Sequence, residues 1–391
     1  MRQILIMLQT CVLLASAVSV SRALPRFALM TGVRCGSCHV NPTGGQMRTE
    51  YGLAYGMEKI PLETLRDTDF SFDPKLSDNI AIGADYRTQY IYDQATKNNG
   101  FHAMTASIYG SALLGRKITF FFRQDLINPG YGVYRGTEVY GLFRILPHNW
   151  YIKGGDFLPD FGWKLDDHTS YTRGGNLGRV KGLEIFDLLF VPNYKDVGAE
   201  VGGTLGPLSL TGGLFNGDGN ESYISLTKEK ALVGKAEWID SLGGINYRLG
   251  ASWYAYANTH MEALTVGFGT GDFALLGELD WHQRHDFAIR NGDFIVDTLL
   301  GETRALGAYL ELDYRVLQGV WLTGKFDMFD PVQGVADDDA TPKINSVQRL
   351  TFGGEFFPYS FVELRPQFRM NLEKPSVSDN NEFLAQIHLW F

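Results

Sequence analysis

The chain has 391 residues, is 45% apolar and 20% charged, and carries a formal net charge of −9. That length holds several small domains or one large β-architecture, and the acidic balance speaks against a nucleic-acid partner, which wants a basic face. A mean hydropathy of −0.12 excludes a bundle of membrane helices, whereas 45 glycines and 13% aromatics suit an all-β protein rich in turns.

Residues 1–23 read as a cleaved export signal. Arg2 gives the positive start, Ile4 to Leu14 the apolar core, and Ser21-Arg22-Ala23 the small residues of a cleavage site. The apolar stretch is interrupted by Gln9 and Thr10, which disfavours a membrane anchor. Of the three cysteines, Cys11 leaves with the signal. Cys35 and Cys38 remain, followed directly by His39, and Cys-x-x-Cys-His is the attachment pattern of a c-type haem. Two thiols so placed form thioethers to the porphyrin, and the adjacent imidazole reaches the iron from one face. A zinc site needs a second ligand pair, and a thioredoxin-like motif needs a βαβ setting; neither surrounds these residues. One motif implies one covalent haem c, with Cys35 and Cys38 as attachment sites and His39 as proximal ligand.

The distal ligand is less constrained. Met47 comes after the turn-rich Asn41-Pro42-Thr43-Gly44-Gly45 and is the first candidate, since a thioether there raises the reduction potential. Met30, Met57, a histidine or an open position are the alternatives, and all three methionines could simply be gap-fillers. The segment 24–72 is a short, mainly irregular or helical cytochrome segment, too small to enclose a haem alone. It is expected to lean on, or fold into, the remainder of the chain.

Residues 73–391 show the pattern of a transmembrane antiparallel β-barrel of about 16 strands, with 14 to 18 acceptable. Segments of about ten residues alternate strictly between clusters of Gly, Asn, Asp and Pro. In 245–257, Leu249, Ala251, Trp253 and Ala255 share one face against Arg248, Ser252 and Tyr254. In 274–284, Leu275, Leu279 and Trp281 oppose Glu278, Asp280, His282 and Arg284, and 361–372 sets Val362, Leu364 and Phe368 against Glu363, Arg365 and Arg369. A polar face bearing full charges of both signs, strand after strand, suits a wet lumen, and the apolar face suits lipid. The alternative is a soluble β-sandwich with charged outer faces. The last segment, Asn381 to Phe391, ends on an aromatic and resembles the closing strand of bacterial outer-membrane barrels, which the assembly machinery reads. The expected place is therefore the outer membrane of a Gram-negative bacterium.

Among the loops, 159–175 is long, charged and aromatic, and either folds inward as a constriction or stays outside. Its Asp166, Asp167 and His168 are of the types that hold a divalent metal, although a solvated turn reads as well. Ala336 to Asp339 is an acidic loop, and Gly217 to Asn220 a turn.

A monohaem Cys35/Cys38/His39 segment ahead of a barrel ending in Phe391 resembles the outer-membrane cytochrome–porin fusions of iron-oxidising bacteria. The resemblance implies an electron conduit. A small extracellular reductant such as Fe²⁺ would give up electrons that pass to a periplasmic cytochrome or other soluble carrier, through a haem segment plugging the lumen. Haem propionates would pair with lumenal arginines. Two other classes stay open: a diffusion porin with a haem-bearing plug or sensor, and a haem enzyme acting on peroxide or a nitrogen oxide.

Overall fold

The computed structural model describes residues 25–64, 73–115, 117–127, 136–147, 149–165, 170–173, 195–217, 228–257, 259–284, 288–291, 295–299, 303–334, 346–372 and 380–391. The signal read over 1–23, the candidate metal residues Asp166, Asp167 and His168, and the acidic loop 336–339 lie outside them.

Among the described residues, two short helices, α1 (Pro25–Thr31) and α2 (Glu50–Glu58), precede the sheet. The strands are β1 (Lys75–Ser77), β2 (Ile80–Asp93), β3 (Asn99–Leu114), β4 (Ile118–Asp125), β5 (Thr137–Phe143), β6 (Tyr151–Phe157), β7 (Asp196–Leu205), β8 (Leu208–Phe215), β9 (Ala231–Leu242), β10 (Ile245–Tyr256), β11 (Thr259–Thr270), β12 (Phe273–Arg284), β13 (Ala288–Asn291), β14 (Ile295–Leu299), β15 (Thr303–Leu317), β16 (Val320–Asp330), β17 (Val347–Phe356), β18 (Val362–Asn371) and β19 (Glu382–Trp390). Among the described residues, 17 strands form one sheet, and β13 and β14 pair separately. β1 is an appendage on β2. The other sixteen pair antiparallel with their sequence neighbours, and β19 closes the ring on β2, with Glu382 opposite Asp93 and Trp390 opposite Asp85. A closed ladder leaves no edge unpaired, as a bilayer requires.

The period-2 pattern becomes two faces. Along β10, Arg248, Ser252 and Tyr254 are buried inside, while Leu249, Ala251 and Trp253 are exposed outside. The same outward belt gathers Ile82, Phe120, Phe122, Leu264, Phe352, Phe368 and Ile387. A soluble sandwich would hide these side chains and expose the charges. Here Lys153, Asp280, Asp313, Asp327 and Arg349 are fully buried in the interior, so the apolar face meets lipid. No helix among the described residues is long and apolar enough to cross a membrane.

The turns at one end are short. Leu242 and Ile245 are cross-strand partners joined by Gly243 and Gly244 alone, at φ of 60° and 83°, the left-handed pair that a two-residue hairpin demands. In barrels of this kind the short turns face the periplasm and the longer loops face outward. The segment 25–64 sits at the short-turn end. α1 lies against β10, β11 and β12, and Asn246 Nδ2 donates to Leu29 O at 2.7 Å. Gln318 Nε2, in the turn after β15, donates to Pro61 O at 2.7 Å, and Leu62 N to Phe357 O at 2.8 Å. The segment therefore plugs the periplasmic half of the lumen.

Candidate functional site

The sequence motif forms a single 3-10 turn, Cys35–Ser37, with Cys38 N and His39 N both donating to Cys35 O, at 3.2 and 3.1 Å. Spacing of three residues on such a turn sets the two thiols on one side. They are not joined to each other. α2 backs the motif closely: its N-cap Thr49 donates through Oγ1 to Ser37 O and accepts from Gly52 N at 3.2 Å. A Cβ on Gly52 would stand 2.2 Å from Cys38 O, so only glycine permits this approach.

His39 pairs across a short antiparallel bridge with Arg48. Its Nδ1 lies 3.2 Å from Gln46 O, a carbonyl presented by a residue at φ 56°. In the tautomer that donates from Nδ1, the ring orientation is fixed and Nε2 is the nitrogen left to coordinate, the arrangement metal-ligating histidines adopt. The imidazole is pushed down to about 3, first by burial and then by the Arg48 charge. It is therefore neutral at physiological pH, the form that binds metals.

Cys35, Cys38 and His39 line one cavity of about 1880 Å³ of non-protein space, part of it continuous with solvent. Its wall comes from three sources. The plug gives the motif, Arg48, Tyr55 and Ile60; the strands give Asp85, Arg87, Arg123, Lys235, Arg248, Glu363 and His388; the loop after β6 gives Phe161, Trp163 and Lys164. That loop folds inward, where sequence alone left the choice open. Gly162 N donates to Ser252 Oγ, Trp163 N to Glu278 Oε1 and Trp163 Nε1 to Gly277 O, each at 3.0 Å. Lys164 Nζ reaches across to Thr43 of the plug. Plug and loop thus meet beside the cavity, where Leu29 and Trp163 share one packed cluster.

The charged wall is internally paired. Lys153 Nζ lies 2.8 Å from Glu200, and Arg248 binds Glu237 through Nε at 2.9 Å while its Nη1 lies 3.4 Å from Cys35 Sγ. Such pairs satisfy groups that could not stay charged in isolation. Chemically, two thiols, a neutral imidazole, an aromatic surround and arginines at the thiol rim can hold a porphyrin with two carboxylates.

Met47 is buried, at 4% exposure, but turns away from this cavity. It lines a second one with Leu53, Ile80 and Phe391. Gln46 and Arg48 line the motif's cavity and Met47 does not. Met30 packs with Phe27, Trp321 and Trp390, and Met57 is tied through its carbonyl to Ser360 Oγ at 2.9 Å. Sequence reasoning passes over His388, which reads as one more polar lumenal position on β19.

No family model matches the chain, and no curated protein matches it. Solved structures match in fold. OmpT of Vibrio cholerae, an outer membrane protein, shares 8% identity over 81% of this chain and 99% of its own, with a TM-score of 0.53. The anion-selective porin from Comamonas acidovorans gives 12% over 80% and 99%, at 0.52. The outer membrane channel DcaP of Acinetobacter baumannii gives 12% over 82% and 99%, at 0.50. The chain is a porin-like outer-membrane β-barrel of sixteen strands, and its apolar belt fits the outer membrane of a Gram-negative bacterium.

Proposed function

We propose that this barrel is an outer-membrane electron conduit, with one haem c attached to Cys35 and Cys38, ligated by His39, and housed in the cavity between plug and inward loop. The observation that carries the proposal is the convergence of the two thiols and the neutral imidazole on one cavity walled by lumenal arginines. A bound haem would supply a one-electron store at mid-lumen. The apolar band of such a barrel is about 25 Å tall, and tunnelling falls off exponentially with distance, so a single centre serves both sides only from within.

The chain's own residues do the rest. α2 and Gly52 hold the motif turn, Gln46 O fixes the His39 ring, and Arg48, Arg87 and Arg248 offer donors to two propionates. The inward loop narrows access to the cavity and limits the donor to something small, of which Fe²⁺ is our first choice. Each Fe²⁺ oxidised to Fe³⁺ would deliver one electron to a periplasmic cytochrome or similar carrier, meeting the plug at the short-turn end. Insertion would use the barrel-assembly machinery, as for other barrels of this architecture.

A second reading has its own support. Channels and porins are the solved structures the chain is similar to, and they favour a plugged diffusion porin more directly than a conduit. One experiment separates the two. Purified, unboiled protein is mixed anaerobically with Fe²⁺ while the haem spectrum is followed, and its conductance is recorded in a planar bilayer. Rapid reduction with small currents supports the conduit. Large currents from haem-loaded protein that Fe²⁺ does not reduce overturn it. A chain that stains for no haem after denaturation overturns the haem altogether.

A further inference from the structure

Resting on the haem proposed above, we infer that His388, and not a methionine, supplies the second axial ligand to the iron. Chain proximity points to Met47, but its side chain lines a different cavity. Neither Met30 nor Met57 lines the cavity that holds the motif. His388 does, from the opposite end of the sequence, on the closing strand β19. Among the described residues lining that cavity, His39 and His388 are the two imidazoles.

The setting of His388 is that of a held ligand. Its ring is buried, with Nδ1 3.0 Å from Glu363 Oε2 and Nε2 3.3 Å from Asp85 Oδ2. Glu363 is itself fixed by Arg365 Nε at 2.7 Å. A carboxylate on one ring nitrogen is the usual orienting partner of a metal-bound histidine, and it makes the other nitrogen a better donor. Arg87 Nη2 also lies 3.4 Å from each ring nitrogen, so ligation through Nε2 would displace its contacts with both Asp85 and Arg87 while Glu363 keeps Nδ1. Trp390 lies beside the ring at 4.6 Å between centroids, and Arg48, the bridge partner of His39, lies over Trp390 at 5.5 Å. The packed side chains of Arg48 and Trp390 thus run from the backbone partner of His39 to His388. Lys164 also lines the cavity, but its amine is spent on Thr43. Glu363 is a positioning residue here, acting through the imidazole.

The test uses the full haem-loaded chain and reads the iron directly by absorption and electron paramagnetic resonance. Wild type is expected to show six-coordinate, low-spin iron of bis-imidazole type. His388→Ala should turn it high-spin, and added imidazole should restore low spin. His388→Met should give a sulfur-to-iron charge-transfer band and a higher potential, since thioether ligation raises it. Glu363→Gln should keep low spin yet raise the potential, which a merely structural role would not do. Met47→Ala should leave the spectrum unchanged. Heat-modifiable mobility on a gel confirms that each variant is a folded barrel. Haem-loaded His388→Ala that stays low-spin while Met47→Ala turns high-spin overturns the assignment alone. Wild type without covalent haem overturns the haem proposal, and the assignment falls with it.

Discussion

Arg26, in the first helix of the plug, donates through Nη1 to Glu355 Oε1 of β17 at 2.7 Å, 329 residues away along the chain. Its second nitrogen reaches Glu355 Oε2, and Asp313 lies 3.7 Å off. Burial alone would lower the guanidinium pKa, but the two carboxylates outweigh it and raise it. The guanidinium is charged at all working pH values and ties the plug to the wall.

Removing one partner of such a buried pair costs about 3–5 kcal/mol. The lower end applies to Arg26→Ala, because Arg365 Nε remains 3.1 Å from Glu355. A loss of about 3 kcal/mol raises the population of undocked plug roughly a hundredfold. Arg26→Ala should therefore open larger single-channel currents and expose the plug to protease, with heat-modifiable mobility of the barrel unchanged. Currents equal to wild type would mean the plug is held elsewhere.

Much of this is legible in the sequence, and the limits have physical causes. The alternation in β10, β12 and β18 gives the barrel, because a two-sided strand needs only its own sequence to show which face meets which medium. The Cys35–His39 turn is equally local. What depends on distant partners is not legible. Trp163 reads as a loop aromatic until Gly277, 114 residues on, accepts its indole N–H. Met47 is suited by proximity, but the second cavity it lines is completed by Ile80 and Phe391, which are distant in the chain. His388, the ligand proposed above, is hidden for the opposite reason: it obeys the strand pattern, and nothing in that pattern would separate a ligand from a lining residue.

Gly52→Ala should separate assembly of the motif from assembly of the barrel. The added methyl meets the Cys38 carbonyl and lies 2.8 Å from Cys38 Cα, and backbone atoms cannot swing aside as a side chain can. Overpacking of this kind costs about 1–3 kcal/mol. The barrel should still insert and show heat modification, while haem per chain, read by staining after denaturation, should drop. Equal haem content in the variant would show that α2 need not back the motif.

The seam of the barrel offers a milder perturbation. Tyr109 Oη donates to Phe391 O at 2.8 Å and lies 3.1 Å from Ala84 O, while Phe391 N donates to Ala84 O at 3.1 Å. Tyr109→Phe deletes the hydroxyl but keeps the ring, so the loss should be about 0.5–1.5 kcal/mol, the net worth of one hydrogen bond. The temperature at which the folded gel band converts to the unfolded one should fall slightly, without loss of insertion. Failure of insertion would mean that this hydroxyl guides ring closure rather than trimming its stability.

The inward loop sets the last expectation. Trp163 is 2% exposed and is fixed at both its backbone and its indole nitrogen, with Arg248 stacked 4.9 Å from the ring centre. Trp163→Phe keeps most of the apolar contact and forfeits the bond to Gly277, a loss of about 1 kcal/mol. Trp163→Ala empties a buried site and should cost about 3–5 kcal/mol, enough to release 158–165 from the lumen. Because the plug remains tied to the wall through Arg26, releasing the loop alone should leave ion current small but should admit bulkier reductants to the proposed haem. Rates of haem reduction by a large, membrane-impermeant ferrous chelate, measured against those by aqueous Fe²⁺, read this selectivity. The ratio should rise strongly in Trp163→Ala and little in Trp163→Phe. Only in Trp163→Ala combined with Arg26→Ala should the largest open-pore currents appear, since both closures are then undone. A large current from the loop variant alone would show that the plug does not seal the periplasmic end.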